Sequence, residues 1–562
     1  MQKSMRCRYI LPVLLSMTFA SCGFLDFDET DEMRGKEDMY KYYDNIEQML
    51  TDVYSYMPDP LKSASLRDCG SDDAEHGDNT SAFQAFNNGT WSSVNVVDDA
   101  WNLYRGIRAA NSFIEEVAKV DLSRYEHDAS YGSWMKKFAF FPYEARVLRA
   151  DYIFELARRY GDIAMPLEVL DSRQANSIGK TAFADVVDFI VGECNECAAG
   201  LPETYADQPG QQIGRMTRGF AMALKSKALL YAASALHNPD GDRDLWKTSA
   251  RAALDIIESG LYSLDPEDCA NNISSPEVVM AVLEGDSQTF ELNNFPVRFT
   301  EGRRSGPTAV FPSQNLVDAF HTRNGYPVIL TGSGWVCDDP EFDPQRPYDG
   351  RDRRFYRSVL ADGMQFKGET IELFEGGLDD HEVTAGGSPT GYFLRRYIQE
   401  STSFSAQQSV TNRHCWIVYR YAETLLTYAE SMAEAFPENM EYTDSEFLYS
   451  ALWALNQVRS NAGMPPVDAV GYEDFMEILR NEWRVEFAFE DHRFWDVRRW
   501  KIGGETQREL AGVVINRADD GSLEFYRQVY ETRVWSDRMN LYPIPQKELF
   551  KNGNLYPQNA GW

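Results

Sequence analysis

Positive charge is scarce in this sequence of 562 residues. It contains 55 lysine and arginine residues against 87 aspartate and glutamate residues, which gives a formal net charge of −32 and an isoelectric point near 4.7. Because nucleic acids bind basic surfaces, this balance excludes a nucleic-acid-binding function. It also disfavours peripheral binding to anionic lipid through a polybasic patch.

The sequence also lacks the common catalytic motifs. Its seven histidines form no H-E-x-x-H pair, and it contains no G-x-S-x-G, G-x-x-x-x-G-K-[ST] or G-x-G-x-x-G motif. We therefore expect a binding protein and not an enzyme. With so many carboxylates, acid pairs of the glycosidase type occur by chance throughout the chain. A glycan-degrading enzyme of the α/α-toroid type thus stays open as the alternative from a different class.

Cysteine is sparse, with eight residues spread along the chain. Six follow residue 22 at wide spacing, which excludes a scaffold held together by disulfide bonds; they are Cys69, Cys194, Cys197, Cys269, Cys337 and Cys415. Cys194 and Cys197 form one C-x-x-C pair, but a structural zinc site requires a second pair of ligands and none is near. On a helix this spacing places both thiols on one face, so we predict that they pack in the core.

No stretch is long and apolar enough to span a membrane, which takes roughly 20 residues. Residues 9–20 form a shorter apolar run that follows three basic residues, which predicts a secretory signal over residues 1–21 that is removed. Phe19-Ala20-Ser21-Cys22 resembles a bacterial lipoprotein box. That resemblance implies a diacylglyceryl thioether and a palmitate-type acyl group on Cys22, and stable anchoring to a membrane. The alternative is an ordinary signal peptide followed by an incidental cysteine.

An acidic segment follows Cys22, and we assign residues 22–35 to a lipidated acidic tether. Five carboxylates lie within ten residues of the cysteine: Asp26, Asp28, Glu29, Asp31 and Glu32. These acids do not serve membrane attachment, because they repel anionic head groups.

Helical periodicity dominates up to about residue 270 and predicts a mainly α fold. Residues 141–162 carry Pro142 near the first turn and Gly161 at the end, with apolar residues three or four positions apart. An alanine-rich helix follows, with Thr217 as its N-cap, and we expect it to pack on the next helix, which Gly260 ends.

The helical pattern returns near the C-terminus. One helix is predicted over residues 416–437, and a second begins with Thr443 and Glu446 in capping-box spacing. These helix–turn–helix units resemble tetratricopeptide-type hairpins, degenerate and interrupted, which bury their apolar faces only by stacking on one another.

Residues 270–410 are different, because short β-leaning segments alternate there with glycine, proline and aromatic residues. The segments include RRFYRSVLADGMQFKGETIEL, in which Asp362-Gly363 predicts a hairpin turn. An irregular, loop-rich region set on a helical scaffold is typical of a binding surface.

Oxygen-bearing side chains recur at every second position in one loop, at Asn238, Asp240, Asp242 and Asp244. The spacing resembles a calcium loop. However, Arg243 replaces the glycine of an EF-hand and Ser249 replaces its glutamate, so the loop is not an EF-hand. A structural Ca²⁺ site of another type stays open, and we expect no other cofactor.

Two C-terminal segments resemble the SusD/RagB family of nutrient-binding outer-membrane lipoproteins: ILRNEWRVEFAFEDHRFWDVRRW at 478–500 and NLYPIPQKELFKNGNLYPQNAGW at 540–562. Further segments agree in the family's order, among them CGFLDFD, EARVLRADYIFELARRYGD, ALKSKALLYAASALHNPD and RYAETLLTYAESMAEAF. The resemblance covers essentially the whole chain after residue 21. It implies a SusD-like fold, with tetratricopeptide-like helical hairpins as the scaffold and short β-hairpins in a loop-rich insert.

We divide the chain accordingly into an N-terminal helical region, residues 36–270, and a C-terminal region, residues 271–562. The second region contains the insert, at about 271–410, and the terminal helices. In the 478–500 segment we expect a core face from Val485, Phe489, Phe494 and Val497. We expect ion pairs that pin the terminal helices to the scaffold from Glu486, Glu490, Arg493, Asp496, Arg498 and Arg499.

The resemblance implies a non-catalytic protein that captures an extracellular oligosaccharide or polysaccharide and delivers it to a SusC-like TonB-dependent transporter. It implies a lipid-anchored position on the outer membrane, facing the exterior. The acids after Cys22 resemble the export signal of surface lipoproteins in this family's bacteria, and the alternative is a solvated tether. Some RagB-like members take peptides, so peptide capture by the same architecture stays open.

Ligand residues do not transfer from the family's motifs, so we select them by chemistry. Aromatic rings stack on sugar C–H faces, and carboxylate, amide and guanidinium groups bind hydroxyls. The candidates lie in the polar loop at 67–95 and in the insert: Asp72, Asp73, His76, Trp91, Asn95, Phe295, Arg303, Trp335 and Tyr348. Trp91 and Trp335 are preferred, because they sit in polar, glycine-containing loops. For each aromatic residue the alternative is local packing, which we expect for Trp101.

Overall fold

A computed structural model describes residues 39–562, and the described chain is mainly α-helical. The helices are α1 (Tyr43–Tyr54), α2 (Pro60–Ser63), α3 (Gln84–Asn88), α4 (Leu103–Val117), α5 (Tyr131–Phe138), α6 (Phe141–Tyr160), α7 (Ser172–Ala175), α8 (Phe183–Ala198), α9 (Arg218–Ala233), α10 (Arg243–Ser259), α11 (Thr289–Asn294), α12 (Gln314–Ala319), α13 (Arg353–Ser358), α14 (Tyr421–Ala435), α15 (Ala451–Asn461), α16 (Tyr472–Glu486), α17 (Arg493–Arg499), α18 (Gly503–Thr506) and α19 (Gln546–Lys551).

The strands are short and pair two by two in antiparallel sheets. In sequence order they are β1 (Ala74–Glu75), β2 (Ile163–Ala164), β3 (Lys180–Thr181), β4 (Val278–Leu283), β5 (Phe311–Pro312), β6 (Ile329–Thr331), β7 (Gly334–Val336), β8 (Val359–Leu360), β9 (Gln365–Phe366), β10 (Glu369–Thr370), β11 (Phe393–Leu394), β12 (Cys415–Arg420), β13 (Glu509–Arg517) and β14 (Leu523–Thr532). The pairs are β1–β5, β2–β3, β4–β12, β6–β7, β8–β11, β9–β10 and β13–β14.

Helix α6 is the central helix of the N-terminal region. As the sequence predicts, Pro142 lies in its first turn and Gly161 follows its last residue, with a φ of 69° that favours glycine. Nearly all of its side chains are buried, because α4 and α8 pack against it and terminal segments such as that around Tyr542 cover its end. The helix therefore serves as a core element and not as an amphipathic surface helix.

The predicted helix pairs are present. Thr217 caps α9 by accepting a hydrogen bond from the Phe220 N–H at 3.2 Å, and α10 ends at Gly260, whose φ is 64°. Helix α9 packs on α10, α10 on α14, and α14 on α15. The mainly α fold is confirmed, whereas the tetratricopeptide identity of these pairs stays a prediction.

Two C-terminal helix boundaries were predicted wrongly. The segment from Cys415 to Arg420 is strand β12, which pairs with β4, so α14 begins only at Tyr421. The sequence alone does not show this pairing, because a short buried apolar run suits either structure. The capping box at Thr443 is also wrong, because α15 begins after Ser450, whose side chain accepts from the Trp453 N–H at 3.0 Å.

The insert is irregular, as predicted, but its hairpin lies elsewhere. Strands β9 and β10 are joined by Lys367 and Gly368, which have φ angles of 49° and 82°. The predicted turn at Asp362-Gly363 precedes the hairpin, where the Gly363 N–H donates to the Ile371 carbonyl at 2.9 Å. Residues 353–358 are helical, because Asp352 caps α13 by accepting from the Arg354 N–H at 2.9 Å.

Three large apolar cores hold the described chain together. The first lies among the N-terminal helices and also takes in C-terminal residues such as Tyr542 and Leu555. The second lies mainly in the insert and also takes in residues from both flanking regions, such as Leu61 and Phe489. The third joins α9 and α10 to α14, α15 and α16. All three cores therefore draw on residues from both sides of position 270, and the division into two regions stays a prediction.

The terminal segment behaves largely as predicted. Val485, Phe489, Phe494 and Val497 are all buried. Five of the six charged residues predicted to pair do form ion pairs, and most of the partners lie on distant elements, as in Arg420 with Glu486 and Glu490. Arg498 is the exception, because its guanidinium lies 3.5 Å from the centre of the Phe494 ring and pairs with no carboxylate among residues 39–562.

Candidate ligand-binding groove

Asp72 and Asp73 are buried and ion-paired. Both Asp72 oxygens accept from Arg493, with Nε–Oδ1 and Nη2–Oδ2 distances of 2.8 Å. Arg484 Nε donates to Asp73 Oδ1 at 2.7 Å. Burial alone would raise the pKa of Asp72, but Arg484 and Arg493 outweigh it and hold that pKa below the ordinary value. These two carboxylates form buried ion pairs that join segments more than 400 residues apart in the sequence.

Three of the predicted aromatic residues are also enclosed. Trp91 is 1% exposed and makes edge contacts with Phe86, Tyr542 and Trp562, whose ring centroids lie 4.7–5.1 Å from its own. Phe295 and Tyr348 are buried in the core of the insert. Their rings offer no free face for stacking on a sugar, so packing accounts for all three.

The remaining candidates do not form one cluster. His76 is buried and shares a hydrogen bond with the Ser65 hydroxyl at 3.0 Å. Trp335 is partly exposed and packs edge-on against Tyr348 and Phe525. Asn95 and Arg303 are exposed. As ligand contacts, these four residues stay predictions.

The structure instead shows a large open groove of about 1030 Å³ between α12, β6, α16 and α18. Ligand pockets for small molecules range from roughly 300 to 1,000 Å³, so this groove has room for a ligand of several rings. Its floor and rim combine aliphatic, aromatic, amide and charged groups. They include Asn315, His321, Ile329, Tyr472, Arg480 and Asn481.

Buried contacts fix the back wall of this groove. Arg484 and Arg493 line it and are held from behind by Asp73 and Asp72. Asn481 donates to the Ala319 carbonyl at 3.0 Å and so ties α16 to α12. The predicted carboxylates Asp72 and Asp73 therefore lie behind the arginines of the groove wall and hold them in place.

Several side chains that line the groove can still form hydrogen bonds or ion pairs with a ligand. Arg480 forms no ion pair with a carboxylate of the described residues, and its Nε is buried without a hydrogen-bond partner. Its guanidinium carbon lies 5.6 Å from the centre of the Trp500 ring, which orients it. Glu473, Asp474 and Glu477 line the exposed edge. The groove therefore offers both charge signs and an aromatic ring, Tyr472, to a polar ligand.

His321 adds a neutral imidazole to the groove. Burial is the main reason that the pKa of His321 is lowered from 6.5 to about 4, and the positive charges of Arg459 and Arg351 add to this decrease. At neutral pH its ring is uncharged, with one nitrogen that donates and one that accepts. Such a group suits hydroxyls, which both donate and accept.

Sequence reasoning missed this groove because its lining comes from segments about 150 residues apart. One pattern in the sequence could have indicated the groove wall formed by α16. Along α16, the polar residues Glu473, Glu477, Arg480 and Arg484 recur every three or four positions. They form a polar stripe opposite the buried Phe475, Leu479 and Trp483.

The loop considered for calcium has another role. The Asn238 side chain accepts from the Asp242 N–H at 2.8 Å and donates to the carbonyls of Ala233 and Asp242. Asp242 caps α10 by accepting from the Asp244 N–H at 2.9 Å. These contacts form a turn and a helix cap, so the calcium hypothesis is not supported. Within residues 39–562, no three His, Cys, Asp or Glu side chains gather as a metal site.

The cysteines after residue 22 are unpaired. Cys194 and Cys197 pack on the buried face of α8, as the sequence predicts, and burial raises the pKa of Cys197 to about 12. Both thiols are therefore protonated and unreactive at neutral pH.

The N-terminal features predicted from the sequence lie outside the described residues. They are the signal over residues 1–21, the anchor at Cys22 and the acids Asp26, Asp28, Glu29, Asp31 and Glu32. Within the part of the chain that the structure describes, no helix combines the length and apolarity needed to cross a membrane.

Comparison with known proteins gives consistent matches. Residues 276–562 match the model of the SusD family. The chain is 24% identical over 428 residues to SusD-like protein P2 of Formosa agariphila, which covers 75% of this chain and 73% of that protein. A crystal structure of a SusD-like protein from Bacteroides fragilis is 26% identical, with a TM-score of 0.76 over 94% of this chain and 99% of its own. A second B. fragilis structure, of a SusD-like carbohydrate binding protein, is 24% identical, with a TM-score of 0.69 over 92% and 100%.

Proposed function

The chain belongs to the SusD family, and from this membership we propose that it is a cell-surface lipoprotein that captures an extracellular oligosaccharide or polysaccharide. It holds the glycan without cleaving it and delivers it to a SusC-like TonB-dependent transporter in the outer membrane. Cys22 carries the lipid anchor, and the acids that follow it direct the protein to the exterior face.

The observation that carries this proposal is the agreement of fold over more than nine tenths of the chain with SusD-like proteins. One of those proteins is described as carbohydrate binding. The sequence contains none of the common catalytic motifs, which favours binding over catalysis.

The groove supplies a binding surface suited to a glycan. Tyr472 offers a ring for the C–H faces of a sugar, and Arg480, His321 and the acids of α16 offer hydrogen bonds to hydroxyls. Because the wall is held by buried ion pairs, the groove is pre-formed, and binding costs little ordering of the protein. We propose Tyr472 and Arg480 as its main ligand contacts, and we keep His76, Asn95, Arg303 and Trp335 as separate candidate contacts outside the groove lining.

Peptide capture is the second candidate, since the groove also has exposed charges of both signs that suit peptide termini and side chains. Isothermal titration of the purified protein with a panel of soluble glycans and a panel of peptides separates the two. We expect at least one glycan to bind and no peptide to bind with comparable affinity. If every glycan failed and a peptide bound, glycan capture would be wrong.

Transporter partnership has its own experiment. Affinity purification of the protein from detergent-solubilised outer membranes should co-purify a TonB-dependent barrel in a fixed ratio. Release of shorter products from a bound polysaccharide by the purified protein would contradict the non-catalytic assignment.

A further inference from the structure

A second, smaller cleft lies in the N-terminal helical region. It has a volume of about 210 Å³ and is formed by the first turns of α4, the loop after β2, α7 and the C-terminal helix α19. Its residues border the first apolar core, whereas the groove borders the other two. The two cavities share no lining residue.

Buried amides fix the walls of this cleft. Asn111 on α4 donates to the carbonyls of Pro166 and Glu168 at 3.0 and 3.1 Å, and its own oxygen accepts from Arg149 at 2.8 Å. Asn552, after α19, donates to the Ile178 carbonyl at 2.8 Å. The loops on both sides of the cleft are thus tied to helices, and the space between them is pre-formed.

Two aromatic rings form a corner inside the cleft. The rings of Trp101 and Tyr104 lie 4.9 Å apart at 57°, and Trp101 is further held by an edge contact with Tyr160. The Tyr104 hydroxyl donates to the Ala164 carbonyl at 3.1 Å, which fixes that ring. Trp101 is partly buried and packs against the first apolar core, as the sequence suggested, while it also lines the cleft.

The rim of the cleft carries three exposed polar side chains, of which only Arg108 hydrogen-bonds to the described chain. Arg108 is exposed and donates to the Leu170 carbonyl, but it has no carboxylate partner among residues 39–562. Glu168 and Asn176 are exposed, and their side chains make no hydrogen bond to the described chain. A cation, an anion and an amide therefore surround an aromatic corner.

The volume of the cleft limits the size of its ligand. A cavity of about 150 Å³ accepts benzene, so a cleft of 210 Å³ has room to enclose one six-membered ring with substituents. A pyranose ring fits these features, because its C–H face would lie on Trp101 and its hydroxyls would reach Arg108, Glu168 and Asn176. A purely apolar ring would leave those three groups without a role.

We propose that this cleft binds a single pyranose unit and is a second carbohydrate site, separate from the groove. The inference rests on the proposed glycan-binding function and deepens it, because a protein with two such sites can hold one polysaccharide chain at two points. Two linked weak sites bind a long chain more tightly than either does alone.

The test uses the full chain, purified in detergent, and saturation-transfer NMR with D-glucose, D-galactose, D-mannose and p-cresol as probes. Ala175→Trp fills the cleft from its exposed rim, and Arg108→Ala removes one hydroxyl-binding group. Arg105→Ala is the matched control, because Arg105 is exposed on the same helix but does not line the cleft. Thermal unfolding of each variant confirms that it folds.

We expect at least one hexose to give a signal that falls fivefold or more in Ala175→Trp and Arg108→Ala and is retained in Arg105→Ala. A hexose signal that is undiminished in Ala175→Trp would overturn the proposal, and so would a cleft that takes p-cresol but no hexose. If long glycans bind and no hexose does, the proposal of a pyranose site in the cleft is wrong, while the proposed function of the protein stands. If no long glycan binds but a hexose signal is lost in Ala175→Trp, the function is wrong and the site stands.

Discussion

Arg499 on α17 forms a two-bond ion pair with Glu430 on α14, and each side chain is 1% exposed. Arg499 Nη2 donates to Glu430 Oε2 at 2.8 Å, Nη1 donates to Oε1, and the Trp500 indole donates to the same Oε1 at 2.8 Å. Asp496 accepts from Arg499 Nε at 2.7 Å. The pair thus joins the terminal helices to the third core with its charges fully desolvated.

The first prediction concerns this pair. Arg499→Ala leaves Glu430 charged and buried, so we expect the free energy of unfolding to fall by about 3 to 5 kcal/mol. Urea denaturation of the lipid-free protein, followed by tryptophan fluorescence, measures the change.

The control for this prediction is an ion pair on the surface. Arg323 and Glu341 are 65% and 63% exposed, so Arg323→Ala should leave the urea midpoint close to that of the wild type. Equal decreases in the free energy of unfolding of the two variants would show that burial does not set the strength of the Arg499 ion pair.

The second prediction concerns pH. Burial lowers the pKa of His237 from 6.5 to about 4, and its ring stacks on Phe183 at 3.5 Å with a buried Nε2 that has no hydrogen-bond partner. As pH falls below 6.5 the unfolded chain gains a proton before the folded chain does, so the free energy of unfolding decreases from pH 6.5 to 4. We expect His237→Phe, which keeps the ring stack, to remove about 2 kcal/mol of this loss.

Urea midpoints at pH 7, 5.5 and 4 test that expectation. His127→Phe, at a position that is 93% exposed, controls for the removal of a histidine. If His237→Phe and the wild type lose the same stability between pH 6.5 and 4, the buried ring is not the source of the acid sensitivity.

The third prediction concerns the groove. Arg480→Ala removes a guanidinium that has no carboxylate partner within the described chain, so we expect glycan affinity to fall about tenfold while the unfolding temperature changes little. Arg346→Ala, which removes a 70% exposed arginine outside the groove, should bind as the wild type does. Titration with the glycan found in the panel measures both variants, and unchanged affinity in Arg480→Ala would place the glycan elsewhere.

The fourth prediction concerns the anchor. Cys22→Ala removes the thiol that would carry the lipid, so we expect the protein to move from the membrane pellet to the soluble fraction. Cell fractionation and immunoblotting measure the distribution. Cys415→Ala, which removes a buried thiol, should leave the protein in the pellet. Retention of the Cys22→Ala protein in the pellet would refute anchoring through this residue.

The fifth prediction separates export from anchoring. Neutralising Asp26, Asp28, Glu29, Asp31 and Glu32 together should leave the protein in the membrane fraction but hide it from protease added to intact cells. A matched variant that neutralises five exposed acids on the surface, Asp52, Asp128, Asp188, Glu203 and Glu438, should stay sensitive to protease. If the tether variant is still cleaved on intact cells, the five acids are not an export signal and form only a solvated linker.

Local sequence signals predicted the elements that depend on local chemistry. Pro142, Gly161, Thr217 and Gly260 mark helix ends at the positions that the structure shows, because caps and breakers act over a few residues. Strand β12 could not be predicted, because its extended form depends on pairing with β4 more than 130 residues away. Long-range pairing is not encoded in the apolar pattern of one segment.

Side-chain chemistry alone did not point to the groove. Asp72 and Trp91 have the functional groups of a sugar site, but the structure uses both for packing and ion pairing. Tyr472 and Arg480 were missed because they belong to an amphipathic helix whose outer face becomes a groove wall only after α12 and α18 dock beside it. Exposure and convergence, which distinguish a site from a core, are properties of the tertiary structure.

The bond between Asp72 and Arg493 joins positions 421 residues apart. Closing so large a loop is slow and cannot precede synthesis of the later partner. A chain secreted from its N-terminus would therefore cross the inner membrane with Asp72 still lacking its arginine. Folding would be completed only after nearly all of the chain has emerged, and until then the early helices would expose apolar faces that a periplasmic holding chaperone could bind.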